Sequence, residues 1–210
     1  MAVTQDGDYG ADVAGGFIDQ AAALGMKSRG YVFAWDKPDY AGAAKGILAK
    51  NPDYIYLCGE TKDLGPLVPA LKAAGYKGGF GASEGFFNRT TLDKYADALS
   101  ESLVSTSFPP LERAPDVANA LADFRAHATA LSAFGYAAAQ IVLSASRRTN
   151  ATDRLAMLSA LQAPVSYDTI VGSFQFGANG DPIDPNLYFY PVTGESFKFT
   201  APSHPTAFRL

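Results

Sequence analysis

Cysteine is almost missing from this chain: Cys58 is the only one in 210 residues, so no internal disulfide is available. It sits inside an apolar run, where a thiol behaves as a small, inert hydrophobe. Histidine is as scarce, with His127 and His204 far apart, and one cysteine with two distant histidines has no zinc-ligand spacing. His127 lies in an Ala-rich stretch that reads as a structural helix. No apolar stretch approaches the ~20 residues that span a bilayer. There is no charged-then-apolar leader either, because the chain opens directly on the strand-like Met1-Ala2-Val3-Thr4. Basic runs and stripes are absent and the formal charge is −4, which argues against nucleic acid as the main partner. No serine sits in a G-x-S-x-G elbow, and no Walker lysine-serine pair exists. The glycines at 75, 78, 79, 81 and 85 are out of register for a dinucleotide loop. No cofactor, no metal and no catalytic constellation is therefore expected.

What is present is a globular composition, 48% hydrophobic and 18% charged, long enough for one α/β domain or two small lobes. The most informative stretch runs from Asn51 to Asn88. Tyr54 to Cys58 is a continuous apolar run, as in a parallel strand covered on both faces. Leu64, Leu67, Val68, Leu71 and Ala74 recur at helical spacing, and Gly75 ends that helix. Gly79 to Ala82 is a second strand that delivers Ser83, Glu84 and Gly85 to its carboxyl end, the edge where open α/β sheets bind ligands. Glu60 and Glu84 thus follow two successive strands on one rim.

The same alternation surrounds this unit. Ala2 to Thr4 and Gly30 to Ala34 read as strands, separated by a helix from Ala11 to Gly25 with Val13, Phe17, Ala21 and Leu24 on one face. Asp39 caps a helix to Lys50 that buries Tyr40, Ala44 and Ile47 or Leu48. A helix near Thr91 to Leu99 and a strand at Leu103 to Phe108 complete four or five βα units, hence an α/β, doubly wound parallel sheet. Pro109-Pro110 stops the alternation. Residues 114–163 read as mostly helical, with stripes at Val117, Leu121 and Phe124, at Phe134, Ala138, Ile141 and Ala145, and at Leu155, Leu158 and Leu161, broken by the polar Arg147-Arg148-Thr149-Asn150. From Thr169 the chain is strand-like again, then turns at 177–182, and short aromatic strands follow at Leu187 to Tyr190 and Ser196 to Thr200.

Four features occur in an order that carries a resemblance. Asp8-Tyr9-Gly10 follows the first strand. Asp39-Tyr40 precedes a helix leading to Pro52-Asp53 and an apolar strand ending in Gly59. Glu84-Gly85 comes next, with Asn88 three residues on. Then come Tyr136 and Gln140 in a helix, Gly172-x-Phe174-x-Phe176, and Gly180-Asp181. In this order the chain resembles the second half of a branched-chain amino acid (Leu/Ile/Val-binding) type I periplasmic solute-binding protein, the receptor of an ABC importer. The resemblance implies two lobes joined by three crossings, with ligand captured by hinge closure. Residues 1–108 and about 169–210 would form the second ligand-binding lobe and the hinge return. Residues 109–168 would be helices of a shortened first lobe, whose own sheet and ligand-carboxylate segment have no counterpart here. The chain is accordingly expected to hold about one lobe and to bind ligand weakly alone.

Residue by residue, the resemblance implies that Glu84 accepts hydrogen bonds from a ligand ammonium and that the Tyr9 ring packs on the ligand. Glu60 stands where this family often has an aromatic residue; it either faces a second donor group of the ligand or sits at a helix N-terminus favoured by the dipole. Ser83 and Phe86 would line the site, with loop packing the competing role of Phe86. The implied function is non-enzymatic, periplasmic capture of an amino acid or related small amine for a membrane permease. The alternative is a ligand-sensing regulatory domain of the same fold, coupled to a signalling partner. The stripes within 114–163 lack a partner sheet, so they are expected to fold back or to pair with another copy as a homodimer.

Overall fold

The computed structural model describes residues 1–5, 7–34, 38–110, 119, 122, 130–150, 153–183, 185–199 and 201–203. The stripe at Val117, Leu121 and Phe124 and both histidines lie outside the described residues. The chain divides into two compact units, residues 1–106 with 187–210, and residues 107–186.

The first unit is built on five parallel strands, β1 (Ala2–Gln5), β2 (Gly30–Phe33), β3 (Tyr54–Cys58), β4 (Gly79–Ala82) and β5 (Leu103–Thr106). Between them run α1 (Asp8–Ala23), α2 (Tyr40–Leu48), α3 (Thr61–Leu64), α4 (Leu67–Ala73) and α5 (Arg89–Tyr95). Their spatial order is β5-β4-β3-β1-β2, so the chain reverses direction at the boundary of β1 and β3. The parallel part of the doubly wound sheet is as expected, and an antiparallel edge extends it. There β8 (Leu187–Thr193) pairs with β5, and β10 (Ala201–Ser203) and the short β9 (Ser196–Phe197) pair with β8.

Alternation along the strands separates two faces. Val3, Phe33, Ile55, Leu57, Phe80, Ala82 and Val104 meet Ala44 and Ile47 of α2, Leu64, Leu67, Val68 and Leu71 of α3 and α4, and Leu92 of α5 in one core. The opposite face packs Ala2, Tyr56 and Cys58 against Val13, Ala14, Phe17 and Ile18 of α1. The register puts Val32, Tyr54 and Leu103 on this second face too, and all three remain exposed. The apolar run of β3 is thus covered fully on one side and only in part on the other. The single helix expected over Leu64 to Ala74 is two helices, because Pro66 has no N–H to continue the first ladder. Asp39 caps α2 as expected, accepting from Gly42 N at 2.8 Å. Leu24, expected on the buried stripe of α1, instead follows the helix end and is exposed.

The second unit holds α6 (Ala130–Thr149), α7 (Arg154–Leu161) and a hairpin of β6 (Tyr167–Thr169) and β7 (Gly172–Phe174). Residues 169–186, expected with the tail lobe, group here because the hairpin pairs with itself and packs on α6 and α7. Ile141, Ala145, Ala160 and Tyr167 bury one another with Phe174 and Phe176 alongside. The polar break at Arg147-Arg148 is instead the last turn of α6, where basic side chains suit the dipole. Arg148 Nη2 donates to Tyr167 Oη (2.7 Å) and to Ala160 O (2.8 Å). One stripe therefore closes within the chain, while Leu131, Leu143, Leu155 and Leu158 stay exposed.

Burial pushes Cys58 from 9.0, and Tyr56 and Tyr76 from 10.0, up to about 12. In the unfolded chain these groups release their protons at ordinary values. Between about pH 9 and 12 the unfolded state therefore binds fewer protons, and stability falls as pH rises through that window. Urea midpoints should be unchanged by these groups below pH 9 and drop between pH 9 and 11; a flat profile to pH 11 contradicts it. Cys58 should likewise resist thiol reagents at pH 8 until urea unfolds the chain.

Candidate functional site

The carboxyl ends of β1, β3, β4 and β5 gather the polar groups of the first unit at the topological switch point, the place where such sheets offer a crevice. Gly10 sets the start of α1 against this edge. A Cβ there would lie 2.2 Å from Thr4 Oγ1 and 2.7 Å from Cys58 O, so only glycine lets the helix turn approach the strand ends. That approach holds Tyr9 over the edge, 42% exposed, with its hydroxyl donating to Ser83 Oγ at 3.4 Å.

Ser83 is only 3% exposed and its hydroxyl is fully used. It accepts from Gly59 N (3.1 Å) and donates to Gly59 O (3.3 Å), which ties the turn after β3 to the loop after β4. Gly85 tightens the same contact, since a Cβ on it would sit 2.2 Å from Gly59 O. Glu60 caps the start of α3 through its backbone carbonyl, and its N–H donates to Gln5 Oε1 at 3.1 Å. Its side chain makes no cap bond. Glu84 opens a single 3₁₀ turn (Glu84–Phe86) and is half-buried. Thr106 Oγ1 donates to Glu84 Oε2 at 2.9 Å from the end of β5.

Of the five sequence-derived candidates, Tyr9, Ser83, Glu60 and Glu84 stand on this edge. Phe86 is fully buried among Leu64, Leu92 and their neighbours, so it anchors the loop from below. Three supporting residues were not singled out for roles: Thr106, Gln5 and Asn88. Asn88 Oδ1 accepts from Thr91 N (3.0 Å) and caps α5, while Nδ2 donates to Gly85 O (2.8 Å) and Thr61 Oγ1 (3.0 Å). Its spacing from Gly85 was the one legible trace of this role. Cavities of about 600 Å³ and 500 Å³ lie at the opposite, amino-terminal edge, around Met1, Arg29 and Asp53 and around Pro52 and Tyr76. Another of about 500 Å³ lies in the second unit around Arg147 and Asp168. None of the three includes Glu84, and the convergence of polar side chains makes the carboxyl edge the candidate site.

The open α/β unit thus gathers Glu60 and Glu84 at its switch point, the edge where sheets of this kind offer a crevice. The chain belongs to the periplasmic binding protein family, whose model matches residues 1–196. A Leu/Ile/Val-binding protein homolog 2 from Brucella abortus is 23% identical over 165 residues, covering 77% of this chain and 44% of that protein. The fold is similar to that of a leucine binding protein from Thermotoga maritima, with a TM-score of 0.86 at 20% identity, over 99% of this chain and 61% of that one. It is also similar to an ABC transporter solute binding protein from R. palustris in complex with benzoate, with a TM-score of 0.76 at 16% identity, over 97% and 58% of the two chains. The chain therefore spans less than two thirds of these relatives. The resemblance read from the sequence holds for family and fold.

The Gly59–Gly85 approach predicts sharp sensitivity. Gly85→Ala should destabilise by roughly 1–3 kcal/mol through overpacking against backbone. Asn88→Ala should cost about 1–2 kcal/mol through the lost cap and loop bonds. Gly16→Ala, an α1 position with nothing within 4 Å of the added Cβ, should instead gain about 0.5–1 kcal/mol. Urea unfolding of the three variants checks the order, and a Gly85→Ala chain as stable as the Gly16 variant contradicts it.

Proposed function

We propose that this chain is the ligand-recognising part of a periplasmic solute receptor that serves an ABC importer, and that its ligand is an amino acid or a related small amine. The observation that carries this reading is Glu84. A carboxylate anchored by Thr106 at the switch-point edge, beside the Tyr9 ring, is complementary to an ammonium group. An α-ammonium would donate to Glu84, and Tyr9 would cover the adjoining apolar part of the ligand. Glu60, on the neighbouring turn, offers acceptor capacity to a second donor group. In this reading the side chains hold and orient the ligand, and membership of a binding-protein family supports a receptor role. Family membership supports a periplasmic location and delivery to a membrane permease. Similarity to a Leu/Ile/Val-binding protein homolog of Brucella and to a leucine binding protein of Thermotoga favours a branched-chain amino acid over other amines.

A thermal-shift and calorimetric panel of leucine, isoleucine, valine, their deaminated acids and benzoate tests the reading. Free ligand at about 100 times its dissociation constant adds roughly 2.7 kcal/mol, an easily detected shift. The shift should be confined to the amines, and Glu84→Ala should weaken binding by about 1.5–3 kcal/mol, ten- to over a hundredfold. Equal response to leucine and its deaminated acid, no response to any amine at millimolar concentration, or indifference to Glu84→Ala overturns it. Self-association belongs to the same reading and rests on the exposed Leu131, Leu143, Leu155 and Leu158 of the second unit. Sedimentation should show a dimer growing in with concentration, and a monomer throughout removes this partner.

A further inference from the structure

Glu84 is one hydrogen bond away from the place where the chain leaves the sheet. Thr106 is the last residue of β5 and of the first segment of the first unit; the chain passes into the second unit at Ser107 and returns at Leu187, the first residue of β8. Because β8 pairs antiparallel with β5, Thr106 stands opposite Tyr188. The two crossings therefore run side by side at the carboxyl end of β5. Thr106 is 1% exposed, so its hydroxyl is held in place by its surroundings and donates to Glu84 Oε2 at 2.9 Å. A hydrogen bond to a carboxylate is about twice as strong as one between neutral groups, and it commits one of the two carboxylate oxygens.

We propose that Thr106 is the positioning residue of this site: its hydroxyl orients the Glu84 carboxylate and couples the occupancy of that carboxylate to the two crossing strands. The first half stands on the geometry alone, and the second rests on the function proposed above. A cationic group arriving at Glu84 competes for the lone pairs that Thr106 addresses, so the crossings experience a different partner when ligand is bound. Such a difference in interaction between two states is what lets a ligand shift a conformational equilibrium. Threonine serves because it combines a donor with the β-branched shape that suits a strand.

Backbone amide exchange of the full 210-residue chain tests both halves, using wild type, Thr106→Val, Thr106→Ser, Glu84→Ala and the Val/Ala double variant. Valine keeps the shape and deletes the donor, and serine restores the donor. Without ligand, Thr106→Val and Glu84→Ala should each speed exchange at residues 103–108 and 187–190, and the double variant should go no faster than the faster single. Thr106→Ser should match wild type. With leucine, wild type and Thr106→Ser should gain protection at the crossings, whereas Thr106→Val should bind about tenfold more weakly and lose that protection. Multiplicative effects of the two single variants without ligand overturn the hydrogen-bond coupling. A Thr106→Val chain with wild-type affinity and wild-type protection overturns the positioning role. Loss of any leucine response in wild type, with the non-multiplicative pattern intact, sinks the proposed function and the ligand half, and leaves the orientation of Glu84 by Thr106 standing.

Discussion

The backbone turns that follow β3 and β4 touch at Gly59 and Gly85, with no room for a side chain between them. The rest of the site depends on that contact. Ser83 spans it with a hydroxyl that both accepts from and donates to Gly59, so the two turns are fixed to each other by sterics and by hydrogen bonds at once. Glu60 rides on one turn and Glu84 on the other, and neither can shift independently. Tyr9 joins from a third element through the same Ser83 oxygen. A buried hydroxyl without partners would cost roughly 1–3 kcal/mol. Here every lone pair and proton of Ser83 has a use, so its burial reinforces the edge it crosses.

Rigidity below the shelf comes from apolar anchoring. Phe86 reaches down into the main core and pins the loop that carries Glu84, while Asn88 closes the far end of the loop on Thr61 and on the first turn of α5. Glu84 is thus held from beneath by a ring, from the side by Thr106 and behind by a helix cap. A carboxylate supported this way loses little conformational freedom on meeting a cation, which is how pre-organisation favours affinity. The opposite, amino-terminal edge has cavities of about 600 and 500 Å³, and volume without oriented polar partners gives little specificity.

The fold was legible because its signals are local. A continuous apolar run marked β3, Asp39 marked the start of α2, and the β-turn-helix rhythm gave the parallel sheet. What failed to show were features that depend on pairing. Thr106 meets Glu84 because β4 and β5 are in a register that places Ala82 opposite Val104, so residues two further along each strand become neighbours. Hydrophobic pattern constrains which face a residue takes, but not which side chain 22 residues away it meets at the strand ends. Gln5 escaped notice for the same reason, its partner lying 55 residues away on the turn after β3. Phe86 could be read as lining or as packing, and only the core beneath it decides the matter. The helix assumed to run from Leu64 to Ala74 hid a break at Pro66, where periodicity was right and backbone chemistry overruled it.

The antiparallel strand β8 gives the architecture its second constraint. Had β5 been the sheet edge, the chain would have left the first unit as a single strand, free to twist about its own bonds. Pairing of Leu103 with Pro191 through to Thr106 with Tyr188 makes the exit and the return one two-stranded ribbon. A paired ribbon resists independent rotation of its strands, because each twist breaks ladder hydrogen bonds. Glu84, bonded to Thr106 of β5, thus meets the sheet where the outgoing strand is paired with the returning one.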